Sequence, residues 1–179
     1  MWILNSEGIL SAYINILYVS VLFVALQRLS ELVWSRWNER ALFKKGGIEY
    51  GAGHYPFLVG FHVAWLASLV LFIDQHAVPN WFWGCAYVVL QVARLWTLWA
   101  LGPFWTTRII TIPNLPLVRR GPYRYLRHPN YAIVAGEVAI LPMVFGAWEI
   151  ALVFSLANLV ILRHRITVEN EALDERQTI

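Results

Sequence analysis

The stretch GILSAYINILYVSVLFVALQ, residues 8–27, runs for twenty positions without a charged side chain. An α-helix needs about 20 predominantly apolar residues to cross the hydrocarbon core of a bilayer, so this stretch predicts a transmembrane helix. A cleaved signal peptide begins with basic residues, whereas the positions before this stretch include Glu7 and no Lys or Arg. The segment therefore predicts an integral membrane protein.

The composition of the whole chain supports the same class. Hydrophobic residues make up 59% of the 179 positions and charged residues 14%, against about 45–50% and about 25% in average proteins. Such a chain has too few polar groups to cover a water-facing surface, and it is too apolar to be intrinsically disordered. Its length allows at most about six spans, which predicts a single domain over residues 1–179.

Further apolar segments extend the prediction to an all-α integral membrane protein with about five transmembrane helices. The last helix is the shortest, since its uncharged part from Ile150 covers roughly 20 Å. It crosses the bilayer only if Trp148 and Arg163 act as interfacial anchors, or if helices four and five form a hairpin. The predicted spans are residues 8–28, 55–73, 81–101, 131–145 and 147–164.

The basic residues predict the orientation of these spans. Of the 14 Lys and Arg, all but Arg94 lie in three segments: after the first span, between the third and fourth, and after the fifth. Five spans with the N-terminus outside place all three segments in the cytoplasm, as the positive-inside rule requires. Residues 102–130 are then a cytoplasmic loop, and residues 165–179 are a cytoplasmic tail.

Two charged residues, Arg94 and Glu137, fall inside predicted spans and away from their ends. Each costs at least about 2.5–3.5 kcal/mol at the centre of a transmembrane helix, so each needs a partner or a function. Both lie in the inner half of the bilayer under the predicted orientation. They can form a structural ion pair or line a polar pocket open to the cytoplasm, and Arg94 can also reach Gln27 and Glu31 near the end of the first span.

The predicted cytoplasmic loop contains RRGPYRYLRHPNY, residues 119–131, which is dense in arginine and aromatic residues. Pro129 stands where the fourth helix is expected to begin, and a helix N-terminus offers free backbone N–H groups to a ligand carboxylate. His128 and Tyr131 flank that position. The alternative is a juxtamembrane basic segment that binds anionic lipid.

The segment RHRITVENEALDE, residues 163–175, covers the end of the last predicted span and the start of the tail. As a helix it places Arg165, Glu169 and Leu173 on one face, and the alternative is a solvated helix end. No metal site is expected, because the histidines around the second span have no carboxylate or second histidine at ligand spacing. The sequence also contains no phosphate-binding loop.

The segment GPYRYLRHPNY, residues 121–131, followed by Glu137, resembles the signature of the isoprenylcysteine carboxyl methyltransferase family of integral membrane enzymes. The family pattern Arg-Ile-x-x-Glu-Glu-x-x-Leu is similar to residues 165–173, with Asn170 in place of the second Glu. A small bacterial subgroup, often encoded beside type III polyketide synthases, resembles this chain over nearly its whole length. The shared stretches are QRLSE (27–31), Asn38-Glu39, HYPFLVGFH (54–62), ARLW (93–96) and FWTTRII (104–110).

The resemblance implies an S-adenosylmethionine-dependent methyltransferase that releases S-adenosylhomocysteine. Its cofactor pocket is expected to face the cytoplasm and to be formed by the last helices, the loop before the fourth span and the C-terminal tail. The resemblance implies two catalytic residues, Arg165 and Glu137, at the methyl-transfer centre. The residues implied to bind the cofactor are Tyr123, Leu126, His128, Pro129, Tyr131 and Glu169.

The implied acceptor is a lipophilic molecule that arrives from the bilayer and is methylated on an oxygen, such as a long-chain polyketide of the alkylpyrone type. Arg165 can hold an oxyanion by a charge-assisted hydrogen bond, and Glu137 can act as a base if one is needed. Carboxyl methylation of an isoprenylated or other amphiphilic acid is the alternative reaction. A non-enzymatic membrane subunit or transporter is the alternative function, with Arg94 and Glu137 as an internal ion pair.

The expected location is the bacterial inner membrane, with the active site facing the cytoplasm. The expected partners are the lipid acceptor and membrane lipid, and no nucleic acid is expected to bind. The sequence leaves the oligomeric state open.

Overall fold

The computed structural model describes residues 6–113 and 115–178, and for residues 6–15, 54 and 175–178 it describes the backbone alone. The predicted external N-terminus, residues 1–5, lies outside the described residues, as do Asn114 of the predicted loop and Ile179 of the predicted tail. Helix accounts for 76% of the structure, which confirms a mostly helical protein. The α-helices are α1 (Ser6–Lys44), α2 (Tyr55–Phe72), α3 (Trp81–Leu101), α4 (Pro129–Val144) and α5 (Trp148–Thr178).

Four helices of the described chain, α1, α2, α3 and α5, are long and apolar enough to cross a membrane. α4 is also apolar but has 16 residues, about 24 Å at 1.5 Å per residue, which is less than the roughly 30 Å of a bilayer core. The sequence predicted the weakest span at 147–164, whereas the helix there is long and the one at 131–145 is short. The four candidate spans support an integral membrane protein, and the count of five stays a prediction.

Two helices continue well past the predicted spans. α1 has 39 residues and α5 has 31, or about 58 Å and 46 Å of helix, so both are longer than the bilayer core. The described residues of the predicted tail belong to the same helix as the last span. The polar parts of both helices contact the segment 102–107, where they can contribute side chains to a site.

A small antiparallel sheet corrects the all-α prediction. β1 (Ile48–Tyr50) pairs with β2 (Ile109–Thr111), with Glu49 opposite Ile110. The sheet joins the segment after α1 to the predicted loop 102–130. Each strand has three residues, too few for an alternation of apolar and polar positions to predict it. The β-branched residues of β2 nevertheless suit a strand.

α4 lies at the centre of the helix packing, in contact with α3 and α5. Nine of its residues are buried, and Val138 and Leu141 pack in the same apolar core as Trp65 of α2. Gly136 allows α3 to approach closely, because a Cβ there would lie 2.9 Å from Leu90 Cδ1. The core of this protein is therefore built around its shortest helix, and the longer helices expose large apolar side chains on their outer faces.

Four charged residues from α1, α3 and α4 form what we call the ion cluster: Arg28, Glu31, Arg94 and Glu137. Arg94 bonds both carboxylates, with Nη1 3.0 Å from Glu137 Oε2 and Nε 2.6 Å from Glu31 Oε1. Arg28 bridges the same two groups, with Nη2 2.5 Å from Glu137 Oε2 and Nη1 3.1 Å from Glu31 Oε2. Two positive and two negative charges cancel in the cluster. The sequence offered Glu137 and Glu31 as partners for Arg94, and the structure shows that Arg94 pairs with both.

Breaking the ion cluster is expected to destabilise the protein. Removing one partner of a buried ion pair costs about 3–5 kcal/mol because it leaves an uncompensated charge, and Glu137→Leu and Arg94→Leu should each have such an effect. The double variant keeps the neutral pair of Arg28 and Glu31. Its loss in unfolding free energy should therefore be clearly smaller than the sum of the two single losses. Unfolding of the detergent-purified variants measures this difference.

Arg127→Gln is the control, because its ion pair with Asp174, 3.2 Å long, is exposed and such pairs contribute at most about 1 kcal/mol. A Glu137→Leu variant as stable as the wild type would contradict the structural role of the cluster. A double variant whose loss in unfolding free energy equals the sum of the two single losses would also contradict that role.

Candidate active site

A cavity of about 570 Å³ opens where the N-terminus of α4, the segment preceding it and the polar half of α5 meet. Its volume lies in the range of about 300–1,000 Å³ that is typical of small-molecule sites. No group of three side chains that could hold a metal ion is found in the described part of the chain. Six of the eight predicted site residues line the cavity: Tyr123, Leu126, His128, Tyr131, Arg165 and Glu169.

Pro129 begins α4, as predicted, and His128 is the N-cap residue. Proline suits the first position of a helix because it has no N–H to leave unpaired and its φ is already helical. Pro129 is fully buried and does not line the cavity, so its role is to start the helix at this point. Asn130 does line the cavity, and its Oδ1 is buried without a hydrogen-bond partner among the described residues. The positive end of the helix dipole therefore lies at the cavity.

Tyr131 connects the two charged residues of α5 that line the cavity. Its hydroxyl accepts a hydrogen bond from Arg165 Nε at 3.0 Å and donates one to Glu169 Oε2. The guanidinium of Arg165 also lies over the Tyr131 ring, 5.9 Å from its centroid, in a cation–π contact. The predicted i, i+4 face is confirmed, because Arg165 and Glu169 reach the same hydroxyl from α5.

His128 is held in place by two residues of α5. Its Nε2 lies 3.0 Å from Asn170 Oδ1, its Nδ1 lies 3.7 Å from Glu169 Oε1, and its ring stacks on Tyr131. An amide oxygen can only accept, so Nε2 carries the hydrogen in this contact. Asn170 was not predicted as a site residue. Its position in the family pattern, where a second Glu is usual, was the available signal, and the amide makes the contact without adding a negative charge.

Arg165 is nearly buried, with 6% of its surface exposed, and its hydrogen bonding is incomplete. Nε reaches Tyr131, and Nη2 donates to the main-chain oxygen of Thr107. Nη1 is buried and has no hydrogen-bond partner among the described residues. An unsatisfied buried polar group costs about 1–3 kcal/mol, and more when it is charged. An acceptor atom supplied by a ligand would remove that cost.

Tyr123 lies in the 3₁₀ turn Gly121–Arg124, in the wall of the cavity. Burial, together with the charge of Glu169, raises the pKa of its phenol above the usual value. The hydroxyl therefore remains protonated and available as a hydrogen-bond donor at neutral pH. Leu126, just after the turn, is 54% exposed and forms part of the cavity edge.

Glu137 does not line the cavity and is fully buried in the ion cluster. It lies six residues beyond Tyr131, or about 9 Å further along α4 from the cavity end. Both of its oxygens are already bonded, Oε2 to two arginines and Oε1 to Gln91 Nε2 at 2.9 Å. The structure does not bring Glu137 together with Arg165, so its predicted catalytic role has no support from this geometry.

Thr107 and Arg108 belong to the site although neither was predicted individually. Thr107 contributes a main-chain oxygen, which any residue could supply and which no residue type signals. Arg108 lines the cavity and is anchored by Glu49, with Nη1 3.0 Å from both carboxylate oxygens. Both residues lie in the stretch 104–110, and the resemblance inferred there from the sequence was the available signal.

Comparison with known proteins places these residues in a family context. The sequence profile of the isoprenylcysteine carboxyl methyltransferase (ICMT) family matches residues 83–175, which include most of the cavity wall. A Bacillus subtilis (strain 168) protein named Uncharacterized protein YpbQ is 37% identical over 163 residues, which cover 89% of this chain and 96% of that protein. An uncharacterized protein of Haemophilus influenzae (strain ATCC 51907 / DSM 11121 / KW20 / Rd) is 28% identical over 166 residues, covering 90% and 95%. No solved structure matches the chain significantly.

Gly121→Ala is expected to distort the turn that carries Tyr123. Gly121 has a φ of +56°, and a Cβ there would lie 2.9 Å from Ala100 Cβ and 3.2 Å from Trp96 Nε1. The left-handed backbone costs a residue with a Cβ about 1–2 kcal/mol, and the contact with α3 adds to that cost. The unfolding midpoint of the purified variant should therefore fall.

Gly46→Ala separates the two causes, because Gly46 has a φ of +82° and nothing within 4 Å of the new Cβ. The Gly121 variant should lose more stability than the Gly46 variant. Equal losses would show that the approach of the turn to α3 is unimportant.

Proposed function

Because the chain belongs to the isoprenylcysteine carboxyl methyltransferase family, we propose that it is an integral membrane methyltransferase that uses S-adenosylmethionine and methylates an oxygen of a lipophilic acceptor. The observation that carries this proposal is Arg165, which lines a ligand-sized cavity and whose buried Nη1 has no hydrogen-bond partner among the described residues. A guanidinium that lacks an acceptor is suited to an anionic oxygen. Family membership supplies the reaction class, and the cavity supplies a place for the reactants.

The cavity residues fit the functional groups of the cofactor. The N-terminus of α4 suits the methionyl carboxylate, Glu169 suits the ammonium group, and the unpartnered Oδ1 of Asn130 can accept from a hydroxyl or ammonium donor. When bound, the cofactor supplies an electrophilic methyl group, with S-adenosylhomocysteine as the other product. The residues we assign to hold it are Tyr123, Leu126, His128, Tyr131 and Glu169, with Pro129 starting the helix.

Arg165 holds the acceptor oxygen in this proposal. Its bonds to Tyr131 and Thr107 fix the guanidinium plane, and the acceptor oxygen of this proposal bonds to the remaining nitrogen, Nη1. A charge-assisted bond favours an acceptor that is already ionised, such as an enolate or a carboxylate. Positioning and exclusion of water then provide most of the catalysis. No general base is required, which agrees with the location of Glu137 in the ion cluster.

The acceptor we propose is a long-chain polyketide such as an alkylpyrone. A hydroxypyrone is acidic enough to present an oxyanion to Arg165 without help from a base. Apolar side chains in the cavity wall, among them Leu101, Phe104 and Ile109, can contact the alkyl chain. Carboxyl methylation of an isoprenylated or other amphiphilic acid is the second candidate, since a carboxylate suits Arg165 equally well and the family is named for that reaction. An amine acceptor would require carboxylates and aromatic rings rather than a free guanidinium.

We also propose that the cavity faces the cytoplasm from the bacterial inner membrane, with the N-terminus outside and membrane lipid around the apolar helices. The arginines of the segment 119–127 lie at the cavity end of the molecule, in keeping with the positive-inside rule. The pairing of Arg94 with Glu137 is equally compatible with a non-enzymatic subunit or transporter. Cofactor binding distinguishes the two functions.

The detergent-purified protein is expected to bind S-adenosylhomocysteine in calorimetry, and His128→Ala should weaken that binding. Loss of one hydrogen-bonding and stacking side chain from the site corresponds to about a 5- to 10-fold increase in Kd. His76→Ala is the control, because His76 is exposed and does not line the cavity. Calorimetric silence of the wild type at high micromolar ligand would refute the enzyme, and an unchanged Kd in His128→Ala would refute the role of that residue.

Arg165→Ala is expected to lower methyl transfer by about 10- to 200-fold, since a hydrogen bond to a charged group contributes about 1.5–3 kcal/mol. Mass spectrometry of lipid extracts incubated with isotopically labelled cofactor detects the methylated product and identifies its class. Arg163→Ala is the matched control on the same helix, because Arg163 is exposed. Normal turnover in a folded Arg165→Ala variant would refute the proposed acceptor contact.

A further inference from the structure

The orientation of Arg165 depends on a main-chain oxygen that α1 holds in place. Arg165 Nη2 donates to the carbonyl oxygen of Thr107. The main-chain N–H of Thr107 in turn donates to Ser35 Oγ at 2.8 Å. Thr107 is therefore bonded to two helices at once, to α1 through its N–H and to α5 through its carbonyl group. A shift of Thr107 relative to α1 would move the acceptor that fixes the guanidinium.

Ser35 contacts both the main chain and the side chain of Thr107. Its side chain is fully buried, and its Oγ lies 2.6 Å from Glu39 Oε1 and 3.0 Å from Thr107 Oγ1. A carboxylate can only accept, so the Ser35 hydroxyl donates to Glu39 and keeps a lone pair for the N–H of Thr107.

Asn38 strengthens the same contact one turn further along α1. Its Nδ2 donates to the carbonyl oxygens of Gly102 and Trp105, at 3.1 Å and 2.8 Å. Ser35 and Asn38 thus hold the segment 102–107 at several main-chain groups. This face of α1 lies outside residues 83–175, which the family profile matches, so the profile does not include these contacts.

We infer that Ser35 is a positioning residue for methyl transfer: it fixes Thr107, whose carbonyl oxygen orients the Arg165 guanidinium toward the acceptor oxygen. The inference rests on the proposed function of Arg165. Loss of the Ser35 hydroxyl leaves the Thr107 N–H without its acceptor and frees the carbonyl group to shift. The cofactor-binding residue His128 is held by Asn170 of α5 and not by Thr107. The defect therefore belongs to the reaction with the acceptor and not to cofactor affinity.

Ser35→Ala tests this inference, with Ser68→Ala as the matched control. Ser68 is also buried, but its hydroxyl donates to the Trp65 carbonyl of its own helix, at 2.7 Å, and not to the segment 102–107. The expected result for Ser35→Ala is a fall in kcat of about 10- to 100-fold with an unchanged Kd for S-adenosylhomocysteine. Amide exchange at Thr107, followed by mass spectrometry, should become faster in Ser35→Ala and not in the Ser68 variant.

Wild-type turnover in Ser35→Ala, unchanged exchange at Thr107, or an equal loss of activity in the Ser68 variant would each overturn the inference. If Ser35→Ala does not fold, Asn38→Ala releases the same segment at two carbonyl groups and carries the same expectation. A wild-type protein that neither binds S-adenosylhomocysteine nor transfers a methyl group would instead overturn the proposed function. A failure of the inference is therefore seen in the variants, and a failure of the proposed function is seen in the wild-type protein.

Discussion

Charges buried between apolar helices must be paired, and this requirement fixes how α1, α3 and α4 pack. Arg94 cannot remain unpaired in an apolar environment, and its bonds to Glu31 and Glu137 tie α3 to α1 and α4. Arg28 completes the neutral cluster. Because these bonds join three helices at one level, sliding any of the three along its axis would separate charges that have no water to replace their partners.

The same cluster sets the level of the cavity residues on two helices. Ser35 lies seven residues beyond Arg28 on α1, and Tyr131 lies six residues before Glu137 on α4, which correspond to about 10 Å and 9 Å of helix. The ion cluster therefore aligns the part of α1 that holds Thr107 with the part of α4 that holds Arg165. Glu137 does not contact the cavity, but its ion pairs fix the position of α4 along its axis relative to α1 and α3.

Much of this organisation could be predicted from residue patterns. Long uncharged runs predicted the apolar helices, Pro129 predicted the start of α4, and the spacing of Arg165 and Glu169 predicted a shared face. The two short strands could not be predicted, because three residues carry no measurable periodicity. The full length of α5 could not be predicted either, because the charges that follow its apolar part end a membrane span without ending a helix.

Residue types alone predicted a membrane protein, its family and six of the residues that line the cavity, because hydrophobicity, helix spacing and the family signature depend on residue identity. The tertiary structure decided which partners those side chains have. It assigned Glu137 to the ion cluster and not to the cavity, and within the described part of the chain it gives Arg165 Nη1 no partner while Nη2 bonds the main chain of Thr107. Main-chain oxygens are identical at every residue, and a buried arginine can pair with any carboxylate within reach. Only the packing of the helices selects among these partners.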